Sequence, residues 1–243
     1  MVLFAPAPLF SAFIGVLTAW GLYEVAEMTK SRDAVGIGAL AIAGGGSAAL
    51  VSYTPQTLWF IPLAAVVVML TLVGRVGSGA VSAARAGLGL TVLGAFYVGA
   101  LFPYFALVRN QADGISTLIF VLLLVMASDT GAYFTGIWLG RTKLAPRVSP
   151  NKTVEGAIGG LAACVIAGLV LRAPLAAQLS VGQSALIAAA IGILAQLGDL
   201  AGSALKRSAG VKDSGWIMPG HGGLLDRTCS MVFANFLVYY CMR

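Results

Sequence analysis

The stretch IGILAQLGDLAGSALKR, residues 191–207, decides the fold. It is apolar almost throughout, holds a carboxylate at Asp199, and ends on Lys206 and Arg207. An ionised Asp inside a spanning helix costs about 2.5–3.5 kcal/mol on insertion scales, so it faces a bundle interior or a wet cavity. An apolar run that ends in Lys-Arg reads as a membrane span reaching the cytoplasmic surface. The rest of the chain agrees. Of its 243 residues 59% are hydrophobic and 10% charged, whereas a soluble domain carries roughly a quarter charged residues. Its 31 glycines recur inside apolar runs, where they let helices approach closely.

A helical span needs about 20 mostly apolar residues. Eight such runs are expected, at 4–26, 34–53, 56–74, 86–108, 115–138, 154–171, 182–205 and 224–242. The expected fold is therefore all-α: a polytopic integral membrane bundle of about eight transmembrane helices, forming one transmembrane domain over residues 1–243. The first run lacks a basic leader and is long for a signal-peptide core, so it reads as a span.

Positive charge falls on one side of this layout. The odd-numbered loops and their helix ends hold Lys30, Arg32, Arg75, Arg85, Arg141, Lys143, Arg147, Lys152, Lys206, Arg207, Lys212 and Arg227, which is 12 of the 15 Lys and Arg. The other side holds Arg109, Arg172 and Arg243. Cytoplasmic loops carry the Lys/Arg excess, so the odd loops face the cytoplasm and both termini lie outside. The net charge of +6 belongs to a membrane rim. Nucleic acid is not an expected partner, because no basic soluble domain exists to bind it. The cysteines Cys164, Cys229 and Cys241 have no metal-ligand spacing and imply no disulfide framework. Tryptophans 20, 59, 138 and 216 sit near span ends, as an interfacial belt requires.

Acids collect on that basic side. Asp129 interrupts LLLVMASDTGAYF, residues 122–134, as Asp199 interrupts its own run. At 1.5 Å per residue each lies about 10–14 Å below the cytoplasmic end of its helix. Glu155 and Asp226 open spans that start in the cytoplasm. Structural ion pairs would account for any one of these acids. Taken together with Lys152, Lys206, Arg207, Lys212 and Arg227 they point to a metal ion and a polyphosphate, since carboxylates hold Mg²⁺ and Lys/Arg neutralise phosphate oxygens. In PGHGG, residues 219–223, glycine backbone can approach phosphate closely. The only histidine, His221, reads as a general acid, a phosphate ligand or a loop residue. In SPNKTVEG, residues 149–156, Thr153 or Ser149 reads equally well as a helix N-cap or as a ligand contact, and Lys152 at a membrane end could simply snorkel.

The segment Ser203 to Arg227, SALKRSAGVKDSGWIMPGHGGLLDR, closely resembles the signature of the phosphatidate cytidylyltransferases: Ser-x-x-Lys-Arg, four residues, Lys-Asp, a spacer, then His-Gly-Gly-x-x-Asp-Arg. SDTGAYFTGIWLGRTKLAPRVSPNKTVEGAIGG, residues 128–160, is similar to a second region of that family. The motif region runs over 128–229. The resemblance implies a membrane nucleotidyltransferase that joins CTP and phosphatidic acid into CDP-diacylglycerol and pyrophosphate. It uses Mg²⁺, with K⁺ as a helper, and works as a homodimer in the bacterial inner membrane with its site toward the cytoplasm. It implies catalytic roles for Asp199, Asp226, Lys206, Arg207, Lys212, Asp213, His221 and Arg227, with Asp199 and Asp226 as the metal acids. Substrate contacts are implied for Asp129, Ser149, Asn151, Lys152, Thr153, Glu155, Ser203, Gly222 and Gly223. Two departures stand out. The family continues Asp-Arg-x-Asp, whereas Cys229 replaces the last acid here, and members often carry one more N-terminal span. Two rivals predict other chemistry. A CTP-dependent polyprenol or dolichol kinase would need a base at an acceptor hydroxyl, and a cation-coupled transporter would place acids near the midplane in two repeats.

The charge split makes a topological prediction. Single cysteines introduced over residues 206–223, in a background without the native three, will resist a membrane-impermeant thiol reagent in intact cells. Ready labelling from outside would reverse the topology.

Overall fold

The computed structural model describes residues 5–28, 97–215 and 222–242. It is mainly helical. In chain order the elements are α1 (Ala7–Met28), α2 (Pro103–Arg109), α3 (Gly114–Leu139), β1 (Lys143–Ala145), β2 (Ser149–Thr153), α4 (Val154–Leu175), α5 (Val181–Ser208) and α6 (Leu224–Cys241). Among the described residues four helices, α1, α3, α4 and α5, are long and apolar enough to cross a membrane. They correspond to the expected spans at 4–26, 115–138, 154–171 and 182–205. The expected runs at 34–53 and 56–74 lie outside the described residues. The run at 86–108 appears, in its described part, as a shorter apolar helix over Tyr97–Arg109. A turn at Phe102 interrupts it, where Pro103 lacks an N–H and starts a fresh helical turn. The run at 224–242 is helical as α6 but is not one of the four, so among the described residues the structure supports four spans of the eight expected.

The residues divide into two compact units. The first comprises 1–110 and 205–227. Its core is Phe10, Ile14, Leu22 and Val25 of α1, with Val98, Phe102, Ala106 and Val108, all nearly inaccessible. Gly21 makes this packing possible, since a Cβ there would sit 3.0 Å from Val98 Cγ1. Arg109 closes the far end by donating to the Ala5 carbonyl at 3.1 Å.

The second unit comprises 111–204 and 228–243. Its core gathers Phe120, Val121 and Leu124 of α3, Cys164 of α4, Ala188, Ile191 and Ala195 of α5, and Ala234 and Val238 of α6. Small residues bring α3 and α4 into backbone contact. A Cβ on Gly160 would lie 2.7 Å from the Ser128 carbonyl, and one on Gly156 2.8 Å from the Ala132 carbonyl. In hydrocarbon such approach supplies packing and polar contact where the hydrophobic effect between helices is absent. Helices α4 and α5 are laced by side chains bonding across to carbonyls: Ser184 Oγ to Gly168 at 2.9 Å, Cys164 Sγ to Ala188 at 3.1 Å, and Gln196 Nε2 to Ala157 at 3.0 Å. α5 starts on a capping box, in which Ser180 Oγ accepts from Gln183 N and Gln183 Oε1 accepts from Ser180 N.

An all-helical chain was expected, yet a two-stranded antiparallel hairpin joins α3 to α4. Lys143 pairs with Thr153 and Ala145 with Ser149, with a register shift between them. The hairpin forms because α3 and α4 lie side by side and their connection must turn back on itself. Lys143, Arg147 and Lys152 lie on it, with Lys143 and Arg147 exposed.

Replacing Gly160 by Val will force α3 and α4 apart and destabilise the protein by about 1–3 kcal/mol, the usual range for overpacking. Thermal unfolding in detergent will show this as a lowered midpoint. Gly182→Ala, where an added Cβ meets nothing within 4 Å, will leave the midpoint unchanged or raise it.

Candidate functional site

From Leu205 onward the signature segment falls in the first unit. The C-terminus of α5 ends in a Schellman motif: Gly210 takes φ +75°, its N–H bonds to the Arg207 carbonyl, and Val211 N bonds to Lys206 O at 3.0 Å. The chain then turns so that Ser214 and the Gly222-Gly223 pair converge on Asp226. Asp226 Oδ2 accepts from Ser214 N at 2.9 Å, Gly223 N at 2.9 Å and Ser214 Oγ at 3.0 Å. Its Oδ1 pairs with Lys206. The two glycines have a steric reason to be glycine. Gly222 takes φ +82°, and a Cβ on it would meet Asp226 Oδ2 at 2.6 Å. A Cβ on Gly223 would strike Glu24 Oε2 at 2.6 Å.

Glu24 is the residue that sequence reading missed. It is 3% exposed, and its carboxylate accepts from Leu224 N at 2.7 Å, Leu225 N at 3.1 Å, Ser214 Oγ at 2.8 Å and Trp20 Nε1 at 3.2 Å. The usable signal was an acid inside an otherwise apolar run, the same signal that marks Asp129 and Asp199.

The second unit holds a cavity of about 550 Å³. Six residues expected to serve the site line it: Asp129 from α3, Ser149, Asn151, Lys152 and Thr153 from the hairpin, and Asp199 from α5. Lys152 pairs with Asp199, and the two side chains are 28% and 40% exposed. The pair bridges hairpin and helix while staying open to the cavity. Tyr133, Ile137 and Leu144 give the cavity an apolar wall, and Gln196 a further amide. Sequence reading singled out none of these four. Gln196 lies one helical turn before Asp199, which is the spacing that would have marked it.

Thr153 resolves to the structural alternative while also lining the cavity: it caps α4, its Oγ1 accepting from Gly156 N at 3.1 Å. Glu155 is not in the cavity wall. Its carboxylate accepts from Arg141 N at 3.1 Å and Thr142 N at 3.1 Å, latching the start of the hairpin to the first turn of α4. An acid there also suits the positive end of the helix dipole. Ser203 lies on α5, one turn beyond Asp199 and outside the cavity wall. Arg207, Lys212, Asp213 and Arg227 are exposed on the signature segment, and Arg207 Nη1 donates to the Val211 carbonyl at 3.3 Å. His221 lies outside the described residues. Cys229 is 4% exposed, and its carbonyl packs directly against Gly198 of α5.

Among the described residues no three His, Cys, Asp or Glu side chains form a ready-made metal cage. Asp199 and Asp226 each already face an ammonium, from Lys152 and Lys206. Hard carboxylate oxygens that balance a cation suit Mg²⁺, which is commonly held by one or two carboxylates plus substrate phosphates.

The chain matches the model of the cytidylyltransferase family over residues 1–243, and it belongs to that family. It is 45% identical over 156 residues to the phosphatidate cytidylyltransferase of Brucella suis biovar 1 (strain 1330), covering 64% of this chain and 57% of that protein. It is 41% identical over 157 residues to the phosphatidate cytidylyltransferase of Bacillus subtilis (strain 168), covering 63% and 58%. The chain therefore spans little more than half the length of the curated relatives it matches. Family membership and the apolar helices make it a membrane protein.

Burial orders the thiols. In the folded protein a membrane-permeant maleimide will modify exposed Cys241 first, and Cys164 and Cys229 only after denaturation. Mass spectrometry of timed digests will read the order. Fast modification of Cys229 would mean that the α5–α6 contact at Gly198 opens readily.

Proposed function

We propose that the protein is a membrane nucleotidyltransferase that converts CTP and phosphatidic acid into CDP-diacylglycerol and pyrophosphate. The observation that carries this reading is the meeting of Asp129, Asn151, Lys152 and Asp199 in one cavity that also has an apolar wall. Such a cavity suits a substrate with an anionic head and an apolar tail. The family and the names of its relatives support transfer of a cytidylyl group over the kinase and transporter alternatives.

The reaction needs positioning and charge neutralisation. An oxygen of the lipid phosphate attacks the α-phosphorus of CTP, a new P–O bond forms, and the bond to the β-phosphate oxygen breaks with pyrophosphate leaving. The attacking phosphate is already an anion near neutral pH, so no strong base is called for. Lys152 and Lys206 are held by their carboxylates near where phosphate charge would lie, and Arg207, Lys212 and Arg227 supply exposed positive charge from the signature segment. Orientation of the two phosphates and stabilisation of the spreading charge are the large terms in such a transfer. Asp199 and Asp226 are each candidate ligands for Mg²⁺, which would supply further charge neutralisation on the nucleotide phosphates when bound; K⁺ is a candidate helper. The reading places the protein as a homodimer in the inner membrane, with CTP entering from the cytoplasm.

Purified protein given labelled CTP and phosphatidic acid will yield a lipid-soluble cytidine product and pyrophosphate. Formation of CDP and a lipid phosphate from an alcohol would instead establish a kinase. Asp199→Asn and Asp226→Asn will each lower turnover about 100-fold or more, the scale of losing one preorganised electrostatic contact. Asp113→Asn, at the start of α3 with no side-chain capping bond, will cost little. Near-full activity of both variants at low Mg²⁺ would remove the metal assignment. Loss of fold in both would return these acids to a structural role.

A further inference from the structure

Glu24 lies near the C-terminal end of α1, about 180 residues before the signature segment and outside any motif. A carboxylate that is 3% exposed is costly to bury unless its lone pairs are met by donors. Here the donors come from the signature segment. Leu224 and Leu225 are the first two residues of α6, and their N–H groups have no partner inside their own helix. Glu24 accepts both, at 2.7 and 3.1 Å. A side chain on another helix thus performs the capping that an N-cap residue usually performs. The chain position that would hold such a cap, Gly223, has no side chain, and Ser214 Oγ and the Glu24 carboxylate together fill the space its Cβ would need.

The connection continues to Asp226. Ser214 Oγ lies 2.8 Å from Glu24 Oε2 and 3.0 Å from Asp226 Oδ2. Ser214 also gives Asp226 its backbone N–H, and Gly223 gives a second. Each of these anchors on Asp226 therefore touches Glu24, through the serine hydroxyl or through the amides that follow Gly223. Asp226 in turn holds Lys206.

We propose that Glu24 is a positioning residue for nucleotidyl transfer. It acts through Ser214 and the first turn of α6 to fix Asp226 and, with it, the ammonium of Lys206. The role rests on the reading that Asp226 and Lys206 serve the reacting phosphates. It makes α1 part of the functional machinery and gives the second Gly of His-Gly-Gly a specific purpose, which is to leave room for the Ser214 hydroxyl and for a carboxylate from another helix.

The test uses Glu24→Gln, Ser214→Ala and the double variant in the full chain. Gln keeps the shape but presents an NH₂ to one of the donors that the carboxylate accepts. Amide hydrogen exchange over residues 222–226 will rise about 10-fold or more in Glu24→Gln, and exchange over α3 and α4 will not change. Turnover will fall about 10-fold or more while KM for CTP stays within about 2-fold, because the loss is in alignment during transfer. Ser214→Ala leaves the Glu24 capping bonds in place and cuts the link to Asp226, so it remains informative if Glu24→Gln does not fold. It will lower turnover in the same way, and the double variant will be no worse than the poorer single, as expected for residues acting in one chain. Unchanged exchange over 222–226 in Glu24→Gln, unchanged turnover in Ser214→Ala, or additive losses in the double variant would each overturn the proposal. Failure of the underlying reading shows separately: the unmodified protein would form no CDP-lipid, and the exchange measurement would still judge the positioning.

Discussion

A carboxylate placed among apolar helices has to be met by a cation or by several N–H and O–H donors, and this constraint organises the molecule. Taking a charge out of water costs several kcal/mol, and removing one partner of a buried pair typically costs about 3–5 kcal/mol. Asp226 meets the demand with Lys206, two backbone amides and a hydroxyl. Glu24 meets it with two helix-start amides and Trp20, and shares the one hydroxyl proton of Ser214 with Asp226. Asp199 has Lys152, and Glu155 has the amides of Arg141 and Thr142. Apart from Lys206 and Trp20, which lie on α5 and α1, the donors come from a chain reversal: the signature loop, the hairpin, or the beginning of a helix. Those are the places where backbone N–H groups are left over. The acids therefore fix the loops, and the loops carry the basic residues.

Close helix packing supplies the rigid wall on which this depends. Glycines in α3 and α4 let backbone touch backbone, and side chains of α4 and α5 bond across to carbonyls. The cavity in the second unit opens where that packing gives way to the hairpin. Asp129 projects from a tightly held helix, Lys152 from a hairpin that Glu155 latches, and Asp199 from a helix fastened one turn earlier by Gln196. Charged groups held in this way lose little freedom when a ligand arrives, which is the basis of electrostatic preorganisation.

What could be read in the sequence follows from these forces. Acids inside apolar runs are conspicuous, so Asp129 and Asp199 were legible, and the cavity joins them with Lys152 as the charge pattern implied. Span positions were legible for α1, α3, α4 and α5, because 20 apolar residues leave few alternatives. The hairpin was not legible. Its strands are short, one contains Pro150, and strand pairing here is imposed by the adjacency of two helices. Glu24 carries the same mark, an acid in an apolar run, but its role was not legible, because two of its partners are backbone amides that no pattern marks. Thr153 could be read as cap or ligand, and only the position of Gly156 N decides that it caps. Cys229 stands where the family has an acid, and the structure adds that its backbone carbonyl lies close to Gly198.

If the protein carries out the proposed transfer, the chemistry calls for no more than one histidine. A lipid phosphate reaches the membrane surface already ionised, and a nucleotide triphosphate brings its own leaving group. Neither needs a proton removed by a strongly basic side chain. What both need is a place at the boundary of the apolar layer where two anions can be brought together against their mutual repulsion. Cations free to swing would be screened by water and would hold no geometry. Lys152 and Lys206 are instead each tied to a carboxylate, and those carboxylates are in turn fixed by helix and loop. An acid beside each lysine lowers the net positive charge around it, yet it sets where that charge stands. For a transfer that relies on alignment at phosphorus, fixed cations of modest net charge are worth more than mobile ones of higher charge.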